Sequence, residues 1–589
     1  MTWSPRPDSG HPPDAGRPDD TTVLPHTAPA EPSPPRRLQR ALRSPYVAVV
    51  AATVAFAAIC LGFLLNTPTL IGPDEPYHFD RIIAAEHGRL APAPGKMNVS
   101  AGGRGAEHTY VYSQMRRSGP SQAEFTARPR NQRPSLNALG GDKRSPDHDV
   151  ANYETQHPPL YYDLIGAVVK VWPGADGMAA DKLVLLIRML NVLLVLPLPL
   201  LFFFAARRIF GDNPVSRTAA FLPLLVPGLA RGAATINNDN LAIVIGAAAV
   251  ALAIRIMTGD RSLRTAILVS LCCVAGSLTK ATIVFALLLV PAAYVIQIWQ
   301  GRRLPSRSVM ATLTLGAIAS GAWWVHNYVA YGAAQPNAWG SQSAAAQGRP
   351  RGNIPIDYNH FWWTLNKAVL SRFWGALGLH EPPQLPLVMI NILSFGMLAC
   401  AIAAIIVVRG LRWQMALLIA VPVASQLMVI LQSYLHYRHY LAIPGLQGRY
   451  VYPGVFGVLL PFALGAALLL YRWARWAPLV ILTVGFVASG WALYTSVEYT
   501  WLHRGESLRP DNWGRAYNTL AEFFPLSRGF TDALSVIGGL FVVLAIGLTV
   551  WTCLTTERAG FGWRQVRQTD ETPTQLISKQ ALTLQPLPG

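Results

Sequence analysis

A chain of 589 residues with 51% hydrophobic and 14% charged side chains departs from soluble domains, in which roughly a quarter of residues are charged. Apolar runs recur that are long enough to cross about 30 Å of hydrocarbon, so the composition specifies an all-α polytopic membrane protein and excludes a soluble domain with one anchor. Cys60, Cys272, Cys273, Cys400 and Cys553 lie in or beside apolar runs, which excludes a disulfide framework and a CxxC metal pattern.

Residues 1–43 hold ten prolines and end in Arg36, Arg37, Arg40 and Arg43. Such a stretch cannot bury a core and is expected to be a disordered tail. Its arginines, just ahead of the first span, place the N-terminus in the cytoplasm. The transmembrane domain is expected over 44–553, with about twelve spans at 45–66, 183–204, 218–235, 240–257, 264–279, 281–299, 309–328, 386–408, 413–432, 451–470, 476–495 and 534–553. On this count the inner loops carry thirteen arginines, from Arg207 to Arg475, and the short outer connections carry three cations, Lys280, Arg438 and Arg449. That asymmetry predicts both termini inside the plasma membrane. It also explains much of the net charge of +18 as an orientation signal, with no nucleic-acid partner required.

Leu160–Trp172 is apolar but thirteen residues long, too short to span, and its paired apolar positions suit a helix lying in the interface. Three large outer loops follow from this assignment: 67–182, carrying interfacial helices, 329–385 and 496–533. The middle of the first, 97–150, is rich in Gly, Ser, Arg and Pro and reads as flexible. The tail 554–589 reads as disordered and cytoplasmic. No internal repeat is visible, which removes the usual sign of a secondary transporter.

The strongest chemical signal follows the first span. Gly72-Pro73-Asp74-Glu75-Pro76-Tyr77-His78-Phe79 sets two adjacent carboxylates at the membrane boundary, where charge must be hydrated or paired. Further polar sets are Tyr153-Glu154-Thr155-Gln156-His157-Pro158-Pro159, then Arg188 and Asn191, Asn238-Asp239, Lys280, Phe373-Trp374-Gly375 and Gln447-Gly448-Arg449-Tyr450. Together these resemble a bacterial family of predicted membrane proteins, domain of unknown function 2142, over most of residues 45–500. The layout is also similar to the wider GT-C glycosyltransferases, such as protein O-mannosyltransferases and aminoarabinose transferases. The resemblance implies a GT-C-like fold and inverting transfer of a sugar from a polyprenyl-phosphate donor. The acceptor would be an envelope glycan, lipid or protein at the outer face.

That chemistry needs a carboxylate to take the acceptor proton and cations to hold the departing phosphate. Asp74 or Glu75 suits the first role; which of them is left open by their adjacency, and an Asp followed by Pro76 is also ordinary helix capping. His78, one helical turn after Asp74, suits substrate contact or a structural role. Asp74, Glu75 and His78 also admit a divalent metal. His157, Lys280, Arg449 and Tyr450 are expected at the phosphate. His157 departs from the lysine that related transferases often place before the proline, Lys280 can alternatively snorkel, and Arg449 with Tyr450 can alternatively anchor at the interface. The rival functions are a transporter or flippase of lipid-linked or envelope saccharides, and a non-catalytic envelope-assembly scaffold.

Overall fold

The computed structural model describes residues 42–110, 121–145, 150–301, 304–336, 349–375, 385–408, 412–443 and 447–556. The expected tails lie outside these, save for 42–43 and 554–556. Among the described residues there are helices, turns and three isolated bridges, and no strand.

Proline punctuation sets several helix ends. The first apolar helix, Tyr46–Asn66, stops at Thr67, whose N–H and hydroxyl both bond back to the Phe63 carbonyl. Thr67 precedes Pro68, and a residue before proline is pushed out of the helical region. Nine helices of the described residues are long and apolar enough to cross a membrane. One of them, Gly448–Trp501, contains two packed helices, Val455–Leu470 and Ala477–Trp501, and Leu263–Ser277 is a shorter apolar helix.

The expected span 218–235 is not one helix. It forms Pro214–Ala219, the 3₁₀ turn Leu222–Leu225 and Pro227–Ala233. Pro223 and Pro227 lack the N–H that an unbroken helix needs. The fragments are buried, from Phe221 to Val226 without exception, and irregular backbone at membrane depth is tolerated only inside protein. With this segment the twelve apolar stretches of the sequence are accounted for.

Tyr46–Asn66 packs on Arg528–Thr555, Leu263–Ser277 on Arg307–Tyr331, and Asp239–Met257 on Val284–Trp299. Arg307–Tyr331, Leu387–Ile406 and Arg528–Thr555 bury only 11%, 17% and 11% of their apolar windows; such exposed apolar faces need hydrocarbon around them.

Between the first two apolar helices the chain folds into a second core. Phe79, Ile82 and Ile83 of helix Glu75–Glu86 meet Tyr161, Tyr162 and Ile165 of helix Leu160–Val171. A side-chain carbon at Gly166 would stand 2.9 Å from the Glu86 amide nitrogen, so glycine sets how closely the two helices approach. The short helix expected at Leu160–Trp172 is therefore present. Part of the stretch read as flexible is folded: Ala101–Tyr110 is helical, and fully buried Asp80 accepts bonds from the Ser100 amide and hydroxyl, Arg144 and Asn152. One buried carboxylate thus ties three separate pieces of the loop together.

Candidate functional site

The two adjacent carboxylates have opposite environments. Asp74 caps helix Glu75–Glu86 in the left-handed region (φ 57°) and its side chain makes no capping bond. That backbone turn sends neighbouring side chains in different directions. Glu75 points inward and is fully buried. Its oxygens accept Arg188 Nε and Nη2, both at 2.7 Å, the Gly72 amide at 2.8 Å and the Ile236 amide at 3.0 Å. Arg188 also donates to the Thr67 and Pro68 carbonyls. Four donors occupy the Glu75 carboxylate, and its charge is committed to joining three segments.

Asp74 keeps 40% of its side chain exposed. Oδ1 accepts the Tyr153 hydroxyl at 2.7 Å, and Oδ2 lies 3.5 Å from Arg449 Nη2. Arg449 in turn lies 3.5 Å from Asp239 Oδ2, whose other oxygen holds Lys280 Nζ at 2.7 Å. Lys280 also donates to Asn238 Oδ1 at 3.1 Å. At 3.5 Å a guanidinium is poorly bonded, and both Arg449 Nε and Asp239 Oδ2 are buried without a hydrogen bond among the described residues. The Lys280 and Arg449 cations thus converge on Asp239, and Arg449 is held loosely between two acids.

Arg449 is delivered by the 3₁₀ turn Gly448–Gly454. A side-chain carbon at Gly448 would come within 2.3 Å of the Val369 carbonyl oxygen and 2.4 Å of the Phe373 nitrogen. Only glycine lets this turn dock on helix Tyr358–Trp374, where the Tyr452 hydroxyl donates to the Phe373 carbonyl. Tyr450 contributes its carbonyl, which accepts from Ser425; its hydroxyl bonds to none of the charged groups named above.

A third group, Glu154, was not singled out by sequence reasoning. It lies on the 3₁₀ turn Tyr153–Gln156. Its Oε2 accepts the Tyr162 hydroxyl at 3.0 Å and faces His78 Nδ1 at 3.2 Å and His157 Nε2 at 3.4 Å. His78 Nδ1 also meets the Tyr162 hydroxyl at 2.9 Å. Burial, reinforced by Asp74, pushes the Glu154 carboxyl up to about 8. Burial, then the charges of Lys280 and Arg449, push His157 down to about 3, and burial drives His78 well below its usual range. Both imidazoles are thereby held toward the neutral form. The available sequence signal was an acid three residues before His157, ahead of a Pro-Pro pair.

The structure brings Asp74, His157, Lys280 and Arg449 into one neighbourhood with Asp239 and Glu154. Glu75 is committed to Arg188, and His78 to Tyr162 and Glu154. The three side chains whose spacing admits a divalent ion therefore turn to three different partners, and no group of three or more His, Cys, Asp or Glu that could hold a metal occurs among the described residues. Beside Lys280 lies an apolar cavity of about 280 Å³, walled by Ser277, Ile283, Leu287, Trp324 and Gln335. Gln335 donates to the Gln156 carbonyl at 3.0 Å, next to His157.

These features define a polytopic helical membrane protein with a charged cluster where its apolar helices meet the folded first loop. The chain belongs to the family described as predicted membrane protein (DUF2142), whose model matches residues 58–460. No curated protein matches it significantly. Among solved structures it is similar to ArnT from Cupriavidus metallidurans in the apo state, at 14% identity over 86% of this chain and 77% of that one, with a TM-score of 0.36.

Proposed function

We propose that this chain is a membrane glycosyltransferase that moves a sugar from a polyprenyl-phosphate donor to a cell-envelope acceptor at the outer face of the plasma membrane. The observation that carries the reading is the placement of Asp74. It is partly open to solvent and shares one neighbourhood with Lys280 and Arg449, whereas Glu75 beside it is consumed by Arg188. A base without cations, or cations without a base, would not serve this reaction.

In the proposed step the acceptor hydroxyl gives its proton to Asp74 while its oxygen attacks the anomeric carbon. The bond from that carbon to the phosphate oxygen breaks, and polyprenyl phosphate leaves with the electron pair. Attack opposite the leaving group inverts the anomeric centre. Arg449 exchanges its long contacts to Asp74 and Asp239 for short charge-assisted bonds to phosphate, and Lys280 adds a second positive charge. The apolar cavity beside Lys280 offers the first carbons of the lipid chain a dry wall. The arginine asymmetry of the loops supports an outward-facing cluster.

The test replaces Asp74 in membranes that contain no other copy of the protein. Transfer of label from endogenous polyprenyl-phosphate sugars to envelope acceptors should fall about 100-fold or more in Asp74→Asn. Full transfer by a correctly folded Asp74→Asn protein sinks the enzymatic reading and leaves the saccharide transporter and the scaffold.

A further inference from the structure

The imidazole of His157 has two faces with different needs. Nε2 is directed at Glu154 Oε2, 3.4 Å away. Nδ1 is buried and has no hydrogen-bond partner among the described residues. Oε2 of Glu154 already accepts the Tyr162 hydroxyl, and it accepts from His157 as well when the carboxyl proton, retained below about pH 8, sits on Oε1. A neutral imidazole has one N–H and one lone pair. If Nε2 carries the hydrogen toward Glu154, Nδ1 is left as a lone pair. A buried lone pair seeks a donor, whereas an ionised phosphate oxygen offers only lone pairs of its own.

We propose that His157 Nδ1 accepts a hydrogen bond from a carbohydrate hydroxyl, on the transferred sugar or on the acceptor, beside the Lys280–Arg449 cation pair. This reassigns His157 from the phosphate to the sugar, and rests on the transferase reading for the identity of the ligand. Neutrality of the ring under burial and two nearby cations agrees with the assignment. The result is a division of labour within the cluster. Lys280 and Arg449 recognise charge; His157, oriented by Glu154, recognises a neutral donor group and thereby the orientation of the sugar ring.

Two substitutions separate this role from a phosphate contact. Gln at 157 can present its carbonyl oxygen where Nδ1 stood and its amide N–H toward Glu154; Lys supplies a cation and no acceptor. Binding is measured with purified full-length protein in nanodiscs, using undecaprenyl phosphate and undecaprenyl-phosphoryl mannose, glucose and galactose. Undecaprenyl phosphate should bind wild type, His157→Gln and His157→Lys within about twofold of one another. If the hydroxyl belongs to the donor sugar, the best-bound sugar lipid should lose about tenfold in His157→Lys and be retained in His157→Gln, a loss of the size of one hydrogen bond. If it belongs to the acceptor, sugar-lipid affinity stays level and the acceptor KM rises in His157→Lys alone. Tighter undecaprenyl phosphate binding by His157→Lys, with weaker binding by His157→Gln, overturns the proposal.

A measurement that needs no substrate completes the test. Solid-state ¹⁵N spectra of the histidines should show the His157 ring neutral and protonated on Nε2 at pH 7, with and without undecaprenyl phosphate. An Nδ1–H ring, or an imidazolium formed on adding the lipid phosphate, refutes hydroxyl acceptance. Failure of wild type to bind any undecaprenyl phosphate would instead remove the transferase reading, and the tautomer would still decide what Nδ1 can accept.

Discussion

Glu75→Gln and Asp74→Asn make the same chemical change at adjacent positions and should have opposite consequences. The Glu75 carboxylate takes four donors, two of them from a guanidinium that is itself only 4% exposed. An amide at 75 keeps one acceptor oxygen and turns an NH₂ group toward Arg188, leaving a buried cation short of its counter-charge. Breaking a buried pair from one side costs roughly 3–5 kcal/mol. Asp74 is 40% exposed and meets Arg449 only at 3.5 Å; Asn keeps an acceptor for Tyr153, so the cost should be about 0–1 kcal/mol. Thermal unfolding in detergent micelles and label transfer in membranes, measured on the same two proteins, give the two readouts. Glu75→Gln should melt well below wild type, whereas Asp74→Asn should melt near it and lose transfer. Equal destabilisation of the two, or a stable Glu75→Gln protein, would refute the assignment of structure to one acid and chemistry to the other.

Arg449→Ala should weaken undecaprenyl phosphate binding in a folded protein and Arg449→Lys should do so less, because Lys restores the charge without the planar fork; unchanged binding in Arg449→Ala removes it from the site. Gly448→Ala should act indirectly through the 2.3 Å and 2.4 Å clashes with Val369 and Phe373, costing about 1–3 kcal/mol and displacing Arg449, which the same melting and binding assays read together. The Glu154 carboxyl, raised to about 8 from an ordinary 4.5, binds its proton more tightly in the folded state. Its contribution to stability is therefore complete below about 4.5 and is lost as pH rises through about 8. Glu154→Gln should flatten that part of a melting-temperature profile, and an unaltered profile would contradict the burial of a titrating acid there. In a cysteine-free background, an impermeant thiol reagent applied from outside should label a cysteine at exposed Ala91 and miss one at exposed Ser306; the reverse pattern would invert the orientation inferred from the arginines.

The polytopic helical class and the acidic turn were legible because each rests on local pattern: long apolar runs, and charge placed abruptly at the end of one. The roles of Asp74 and Glu75 were not separable from sequence. They share charge and neighbours, and what divides them is the left-handed turn at Asp74 and an arginine 113 residues later. The segment 218–235 shows the opposite case. Hydropathy suggested a single span, while Pro223 and Pro227, visible all along, broke it. Glu154 escaped notice because two of the side chains around it, His78 and Tyr162, are brought there only by packing of helices Glu75–Glu86 and Leu160–Val171. Asp239, one half of the polar pair Asn238-Asp239, gains its place in the cluster only when Lys280 and Arg449 arrive from elsewhere in the chain.

The wide sequence separations around the acidic pair also impose a timetable on synthesis. Arg188 follows Glu75 by 113 residues, and Arg449 follows Asp74 by 375. At about 5–20 residues per second, the partner that neutralises Glu75 emerges roughly 6–23 s after it, and the cation beside Asp74 only after roughly 19–75 s. During the first interval a charged group sits unaccompanied at the membrane boundary, where an insertion factor or water must shelter it. During the second, the scaffold around Glu75 can already close while Asp74 still lacks Arg449. A chain ended before residue 449 therefore holds Asp74 without the cation that the proposed transfer requires.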